Sequence, residues 1–413
     1  MSLSEAKLLE DVRQRLFSPV KSKTPRAVGV EIELIPIHTS TRRPALPTSS
    51  DGVSTARIIS RLAQRDGWIE ESVDNDPPSW THSDGTRISF EPGGQIEISS
   101  APHATASSVI DSTQAIVAIL QAALAAEGIE LLARGVDPYN DIDAVPLQLH
   151  RDRYERMTRY FESIGPSGVR MMRQTAALQI NLERGEDPLS RWRLLNGLAP
   201  IVTALFANSH DYAGKPTDWA SYRSHLWRTL DPSRTGIVYA EPGHAENYLN
   251  FALDAFAMHS RNSGPPYRTF RDWMREPDVD EVEWLFHLST LFPEVRPKEY
   301  FELRSADTIE PGLLFAPIVF VTGLVYDQKS SVRAAEIVGL PDSDLLLHAG
   351  GNGLKDHHLL ATATALCELA IEGAVRLGEK YISARHREGA SAHFEALRER
   401  FRPGGKAYSF PAG

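Results

Sequence analysis

Ile88-Ser-Phe-Glu-Pro-Gly-Gly-Gln-Ile-Glu-Ile-Ser-Ser100 is an extended segment that enters a Pro-Gly-Gly break and leaves it extended again. Pro92 to Gly94 can continue neither a strand nor a helix, so the backbone turns or bulges there. Beyond the break, the side-chain period of two puts Gln95, Glu97 and Ser99 on one face and Ile96 and Ile98 on the other. Glu91, Gln95 and Glu97 then meet at one rim. Taken alone this is an edge strand with a solvated polar face. What gives it a functional reading is that the same construction recurs three more times.

In residues 27–37, Val28, Val30, Ile32 and Leu34 alternate with Gly29, Glu31, Glu33 and Ile35, a strand that presents two carboxylates on one face. In residues 175–182, Gln179 and Asn181 face away from Leu178, Ile180 and Leu182. In residues 300–307, Glu302 and Arg304 share a face opposite Phe301 and Leu303. An antiparallel sheet with one face on helices and the other polar would gather all four pairs. Several carboxylates in one place raise one another's pKa unless a cation joins them. Mg²⁺ or Mn²⁺ would do so while leaving positions for phosphate oxygens. Arg223 and Arg234 lie in stretches with turn chemistry and are candidates to hold an anion. The chain has no GxxxxGK[ST] loop, so a nucleotide would rest on metals and arginines. The residues alone thus point to a metal-dependent site for a phosphorylated substrate.

The remaining pattern is largely helical: 2–17 opening on a Ser2/Glu5 capping box, 54–65, 104–126, 154–161, 188–207, 311–326 and 356–383, with a short strand at 129–136. Beyond Arg385 the tail is charged and reads as loosely ordered. Apolar content of 42% over 413 residues suffices for a full core, and no repeat or low-complexity linker divides it. One catalytic domain over 1–413, with a helical C-terminal part at about 356–400, is the expectation. A net charge of −10 argues against nucleic acid or an anionic membrane as partner. The longest apolar run, 313–326, is too short for a bilayer and contains Pro317. No secretion signal is visible, so the cytoplasm is the expected compartment. Cys367 is the only cysteine and reads as a small buried hydrophobe.

The blocks around Glu31/Glu33, Phe90–Ser99, Met171–Asn181, Ala204–Ser209, Ser221–Trp227, Asp231–Gly236, Tyr248–Asp254, Leu291–Arg296, Tyr300–Asp307 and Gly353–Lys355 resemble the glutamate–cysteine ligases of the plant and proteobacterial type. The actinobacterial ligases of ergothioneine synthesis share several of them. The resemblance implies an α+β, glutamine-synthetase-like fold: a curved antiparallel sheet lining a metal and ATP site, with helices on its outer face. It implies an ATP-dependent ligase that joins L-glutamate to L-cysteine through γ-glutamyl phosphate, in glutathione biosynthesis or a related thiol pathway. It also implies a monomer or homodimer. On that resemblance Glu31, Glu33, Glu91, Glu97, Gln179 and Glu302 hold the metal. Arg304, Glu302 and Arg223 are catalytic, and Arg223, Arg234, Gln95 and Asn181 bind the nucleotide or glutamate. The chain departs from the family at Asn250, at 256–259, at Gln174 and Ala176 in place of Arg and Cys, and at His210 in place of Pro. These departures raise the alternative of another amine acceptor, beside that of a catalytically silent binding homologue. The lone cysteine excludes the intramolecular disulfide switch of plant members.

Overall fold

The computed structural model describes residues 3–21, 24–48, 52–72, 76–239, 241, 243–258, 266–277 and 279–402. Its centre is an open antiparallel sheet. The strands are β1 (Val28–His38), β2 (Ile69–Glu71), β3 (Ser79–Thr81), β4 (Arg87–Phe90), β5 (Ile96–Ser99), β6 (Ile129–Leu132), β7 (Ala177–Glu183), β8 (Val295–Pro297) and β9 (Tyr300–Asp307). They lie in the order β8-β9-β7-β1-β5-β4-β3-β2, with β6 paired to the far end of β1. All four polar constructions are therefore strands of one sheet, and they are consecutive in it, in the order β9-β7-β1-β5.

Register decides the site. Glu33 sits opposite Glu97, Glu31 opposite Gln179, and Glu302 opposite Asn181. The alternate residues Val28, Val30, Ile32 and Leu34 are fully buried on the other face. That face packs on the helices Ala106–Ala125 and Pro188–Leu205, with Phe315–Tyr326 against both. A further layer, Gln328–Val338, His357–Leu377 and Ala384–Phe401, covers Phe315–Tyr326. Where 315–326 crosses 357–377 the backbones touch: a Cβ on Gly323 would lie 2.2 Å from the Ala370 carbonyl oxygen, and one on Gly373 2.1 Å from that of Gly323. Only glycine fits there.

Several expectations need correcting. The tail beyond Arg385 is a regular helix to Phe401, because His386, Ala390, Phe394 and Leu397 recur at helical spacing and are buried. The helices Gln328–Val338 and Ser343–Asn352 have amphipathic patterns that the sequence reading passed over. At the N-terminus the cap of the first helix is Ser4, which accepts from the Lys7 amide; Ser2 lies outside the described residues. Among the described residues, two helices, Ala106–Ala125 and His357–Leu377, are long and apolar enough to cross a bilayer by length and composition, unlike the shorter run considered from sequence. Here each buries a stripe in the core, Val109, Val117 and Leu124 in the first and Leu359, Leu366 and Ala370 in the second.

Candidate active site

The Pro-Gly-Gly break is the tip of the β4–β5 hairpin. Glu91 N donates to the Gln95 carbonyl and Gly94 N to the Glu91 carbonyl, each at 2.8 Å. Gly94 has a φ of +92°, which closes the turn at the position that glycine favours. Gly93 is needed for space: a Cβ there would lie 1.9 Å from the Arg173 carbonyl oxygen. The tip is thus clamped on the end of the helix Pro166–Gln174. Gln95 completes the clamp, accepting from Gly93 N at 2.9 Å and donating to the Thr175 carbonyl at 2.8 Å.

This clamp brings Glu91 and Glu97 beside Glu33, each offering an oxygen, with all three oxygens within 4.8 Å of one another. Glu33 also accepts from Ala177 N at 2.8 Å and from Gln179 Nε2 at 3.1 Å. Burial, and then the charge of Glu97, push Glu33 up to about 7. Burial, with Glu302 and Glu97, takes Glu31 to about 7 as well, against the pull of Lys298 and of the Asn181 amide. Glu91 is raised well above the carboxylate range by burial and by Glu97 and Glu33. Crowded carboxylates with raised pKa values suit a hard divalent cation, and the donor set fits one.

Glu302 is in a different setting. It is fully buried, and burial alone would raise its pKa; Arg296, Arg304 and Lys298 outweigh that and hold it low. Arg296 grips it through Nε at 2.6 Å and Nη2 at 2.9 Å, Arg304 Nη1 reaches it at 2.7 Å, and Lys298 Nζ donates to its other side. Arg304 also donates to Gln179 Oε1 and lies over the Trp227 and Phe292 rings at 5.2 and 5.9 Å. Its planar head is therefore fixed in place.

A cavity of about 500 Å³ opens on this face, and its wall includes Glu31, Glu33, Glu91, Glu97, Gln179 and Arg304. The remaining sequence candidates fall elsewhere. Gln95 reaches the cavity, yet its amide is spent on backbone, so it braces the turn and is not placed to bind a cofactor. Arg234 is wholly buried, with Nε on Asp231 at 2.6 Å, Nη1 on the Thr290 carbonyl at 3.1 Å and Nη2 on the Phe256 carbonyl. It is a structural cross-link with no path to a ligand. Arg223 belongs to the helix Tyr222–Thr229, not to a turn; it donates to the Arg304 carbonyl at 2.8 Å and stands 3.7 Å from Asp307. It lies behind Arg304 and outside the cavity wall. Asn181 holds Glu31 through Nδ2 at 2.9 Å and is likewise not part of that wall.

Among the described residues, the departures from the family pattern do not line the cavity. Asn250 accepts from Arg271 on the surface. Gln174 bridges the Asn140 carbonyl and Tyr212, and Ala176 packs with Ile35, Ile37 and Leu132. His210 stands exposed beside Asp211, and Phe256 is on the surface. His259 lies outside the described residues. None of these described positions favours another amine acceptor.

Sequence reasoning missed Arg15, Arg153, Tyr154, Tyr248, Arg296 and Lys298 as wall residues. Arg296 and Lys298 did carry a signal, since they alternate with Val295 and Pro297 in the same period of two that exposed Glu302 and Arg304. The others come from helices and left none.

Clustered carboxylates beside fixed guanidinium groups, in a cavity of small-molecule size, define an enzyme that handles a multiply charged small substrate. The model of glutamate-cysteine ligase family 2 matches residues 27–408. The chain is 31% identical over 395 residues to the chloroplastic glutamate–cysteine ligase of Solanum lycopersicum, covering 90% of this chain and 74% of that one. To its Arabidopsis thaliana counterpart it is 32% identical over 337 residues, covering 78% and 63%. This chain belongs to glutamate-cysteine ligase family 2. Among solved structures, the glutamate–cysteine ligase of Francisella tularensis in complex with AMP matches with TM-score 0.46 and 11% identity, over 95% of this chain and 91% of that one. A bifunctional glutathione synthetase of Pasteurella multocida matches with TM-score 0.44 and 12% identity, over 96% and 55%.

Proposed function

We propose that this chain is an ATP-dependent ligase that joins the γ-carboxylate of L-glutamate to the amine of L-cysteine. Family membership supports the reaction, and the observation that carries its assignment to this cavity is the meeting of Glu33, Glu91 and Glu97 beside the fixed head of Arg304. In the reaction a γ-carboxylate oxygen attacks the terminal phosphorus of ATP and ADP departs. The cysteine amine then attacks the acyl carbon, phosphate leaves and the amine loses a proton. A divalent cation would neutralise phosphate charge and lower the barrier to its transfer.

Glu33, Glu91 and Glu97 would hold that cation. Glu31, with Gln179 beside it, would serve a further one, and Glu302 would join once Lys298 released an oxygen. Arg304 faces the transferring phosphoryl group, its direction set by Glu302, Gln179 and the two aromatic rings. Arg223 positions Arg304 from behind and does not touch substrate. No histidine lines the cavity among the described residues, so the amine proton passes to water or to a phosphate oxygen. We assign all of 1–413 to one glutamine-synthetase-like catalytic domain, because its main core draws on residues from Leu3 to Leu397. A monomer or homodimer in the cytoplasm, where the buried Cys367 thiol would stay reduced, completes the reading.

The test is phosphate release from ATP with Mg²⁺ and L-glutamate, with and without L-cysteine, followed by mass spectrometry. γ-Glutamylcysteine formed at ordinary enzyme rates is the expected product. Phosphate release without it would replace cysteine by another amine, and no ATP use would remove the reaction.

A further inference from the structure

Residues ahead of Ala27 precede the stretch that the family model matches, yet they build part of the cavity wall. The helix Glu5–Asp11 runs into a π-helical turn, Val12–Leu16, that puts Arg15 and Leu16 in the wall. Leu8, Val12, Leu16 and Phe17 are buried in the main core, with the Phe17 ring edge-on to Trp192 at 5.2 Å. Arg184 anchors the turn through the Arg15 carbonyl at 2.5 Å. The segment is therefore a fixed part of the site, at a kind of turn that concentrates at functional positions.

The Arg15 guanidinium is held like a fork. Its Nε donates to Asp11 Oδ1 at 3.0 Å and its Nη2 to Oδ2 at 2.6 Å. Asp11 is itself fixed by Trp284 Nε1 at 3.0 Å. Asp11 is not part of the wall, so it backs the guanidinium from outside the cavity. Among the described residues nothing accepts from Arg15 Nη1. The other wall cations are also engaged within the protein, Arg296, Lys298 and Arg304 on Glu302 and Arg153 on the Ser289 carbonyl through Nη2, while Arg153 Nε is buried without a partner.

Resting on the ligase reading above, we propose that Arg15 is a substrate-binding residue whose Nη1 donates to an oxyanion of a bound substrate, the carboxylate of an amino acid or a phosphate of the nucleotide. The full-length Arg15→Gln variant tests it, with ATP, glutamate and cysteine each varied in turn. One KM should rise roughly tenfold to a hundredfold, as loss of a charge-assisted hydrogen bond requires, with kcat and melting temperature little changed. A rise confined to ATP assigns phosphate, and one confined to glutamate or cysteine assigns that carboxylate. Arg15→Lys, which keeps the charge and loses the fork, should fall between. Unchanged KM values for all three substrates, or equal rises with a lowered melting temperature, would overturn the proposal. Calorimetric binding of each substrate to both proteins separates the two readings. A wild type that binds but makes no γ-glutamyl amide defeats the reaction, while the change in Kd still decides Arg15.

Discussion

Gly93→Ala perturbs the site at its narrowest contact. The added methyl would lie 1.9 Å from the Arg173 carbonyl oxygen, 2.6 Å from the carbonyl carbon and 2.7 Å from Cα, where ordinary contact is 3.4–4 Å. Backbone occupies all three positions, so no side chain can swing aside, and the hairpin tip must retreat by roughly 1.5 Å. Retreat strains the Gln95 bonds to Gly93 N and the Thr175 carbonyl, both within normal length at present. Overpacking of this kind costs about 1–3 kcal/mol. The larger effect falls on function, because Glu91 and Glu97 flank the tip while Glu33 stays on β1. Displacement by about 1 Å at a site of this kind costs on the order of a hundredfold in rate. Urea unfolding should show the modest loss of stability, and kcat/KM with titrated Mg²⁺ the large loss of activity. Gly312→Ala is the control, since its Cβ would meet nothing within 4 Å. A Gly93→Ala enzyme with wild-type kcat/KM and Mg²⁺ dependence would refute the claim that this contact sets the carboxylate geometry.

Three other outcomes are expected. Glu302→Gln leaves Arg296, Arg304 and Lys298 without their shared counter-charge in a buried place and should cost about 3–5 kcal/mol, read by denaturant unfolding; a cost near zero would show that the cations relax into solvent. Glu31 and Glu33, raised from 4.5 to about 7, keep protons in the native state that the unfolded chain has already released. The metal-free protein should therefore lose stability as pH rises from about 4.5 to about 7, and Mg²⁺ should raise the melting temperature more at about pH 8 than at about pH 5.5; an equal gain at both would contradict the crowding of carboxylates. Phe394→Ala, which empties a buried position against Phe320, should cost about 3 kcal/mol in the same unfolding assay, whereas a loosely ordered tail would lose nothing.

Much of the sheet was legible because its strands obey a strict period of two, and that period carries the polar face with it. Glu31, Glu33, Glu97, Gln179, Glu302 and Arg304 were found by alternation alone, and the register of β1, β5, β7 and β9 then brought them together. What alternation cannot tell is whether a side chain on the right face keeps its polar atoms free. Gln95 spends both on the turn that it stabilises, and Arg234 spends all three nitrogens inside the core, facts fixed by long-range backbone positions. The helical contributors, Arg15, Arg153 and Tyr248, were illegible for a related reason. A helix shows which stripe it buries but not which neighbour faces its rim. The last helix was misread because its charge was weighed above its spacing.

The glycine crossing of 315–326 and 357–377 bears on which parts of the molecule are able to move during turnover. Two backbones in direct contact have no side chains between them that could change rotamer, so sliding or tilting there meets carbonyl groups at once. The layers behind the sheet thus act as an anvil. Opening and closing around ATP and the amino acids would fall to the opposite wall, to the helices bearing Tyr248 and Leu285. Amide hydrogen exchange with and without substrates should then change in those front segments and leave the amides around Gly323 and Gly373 untouched.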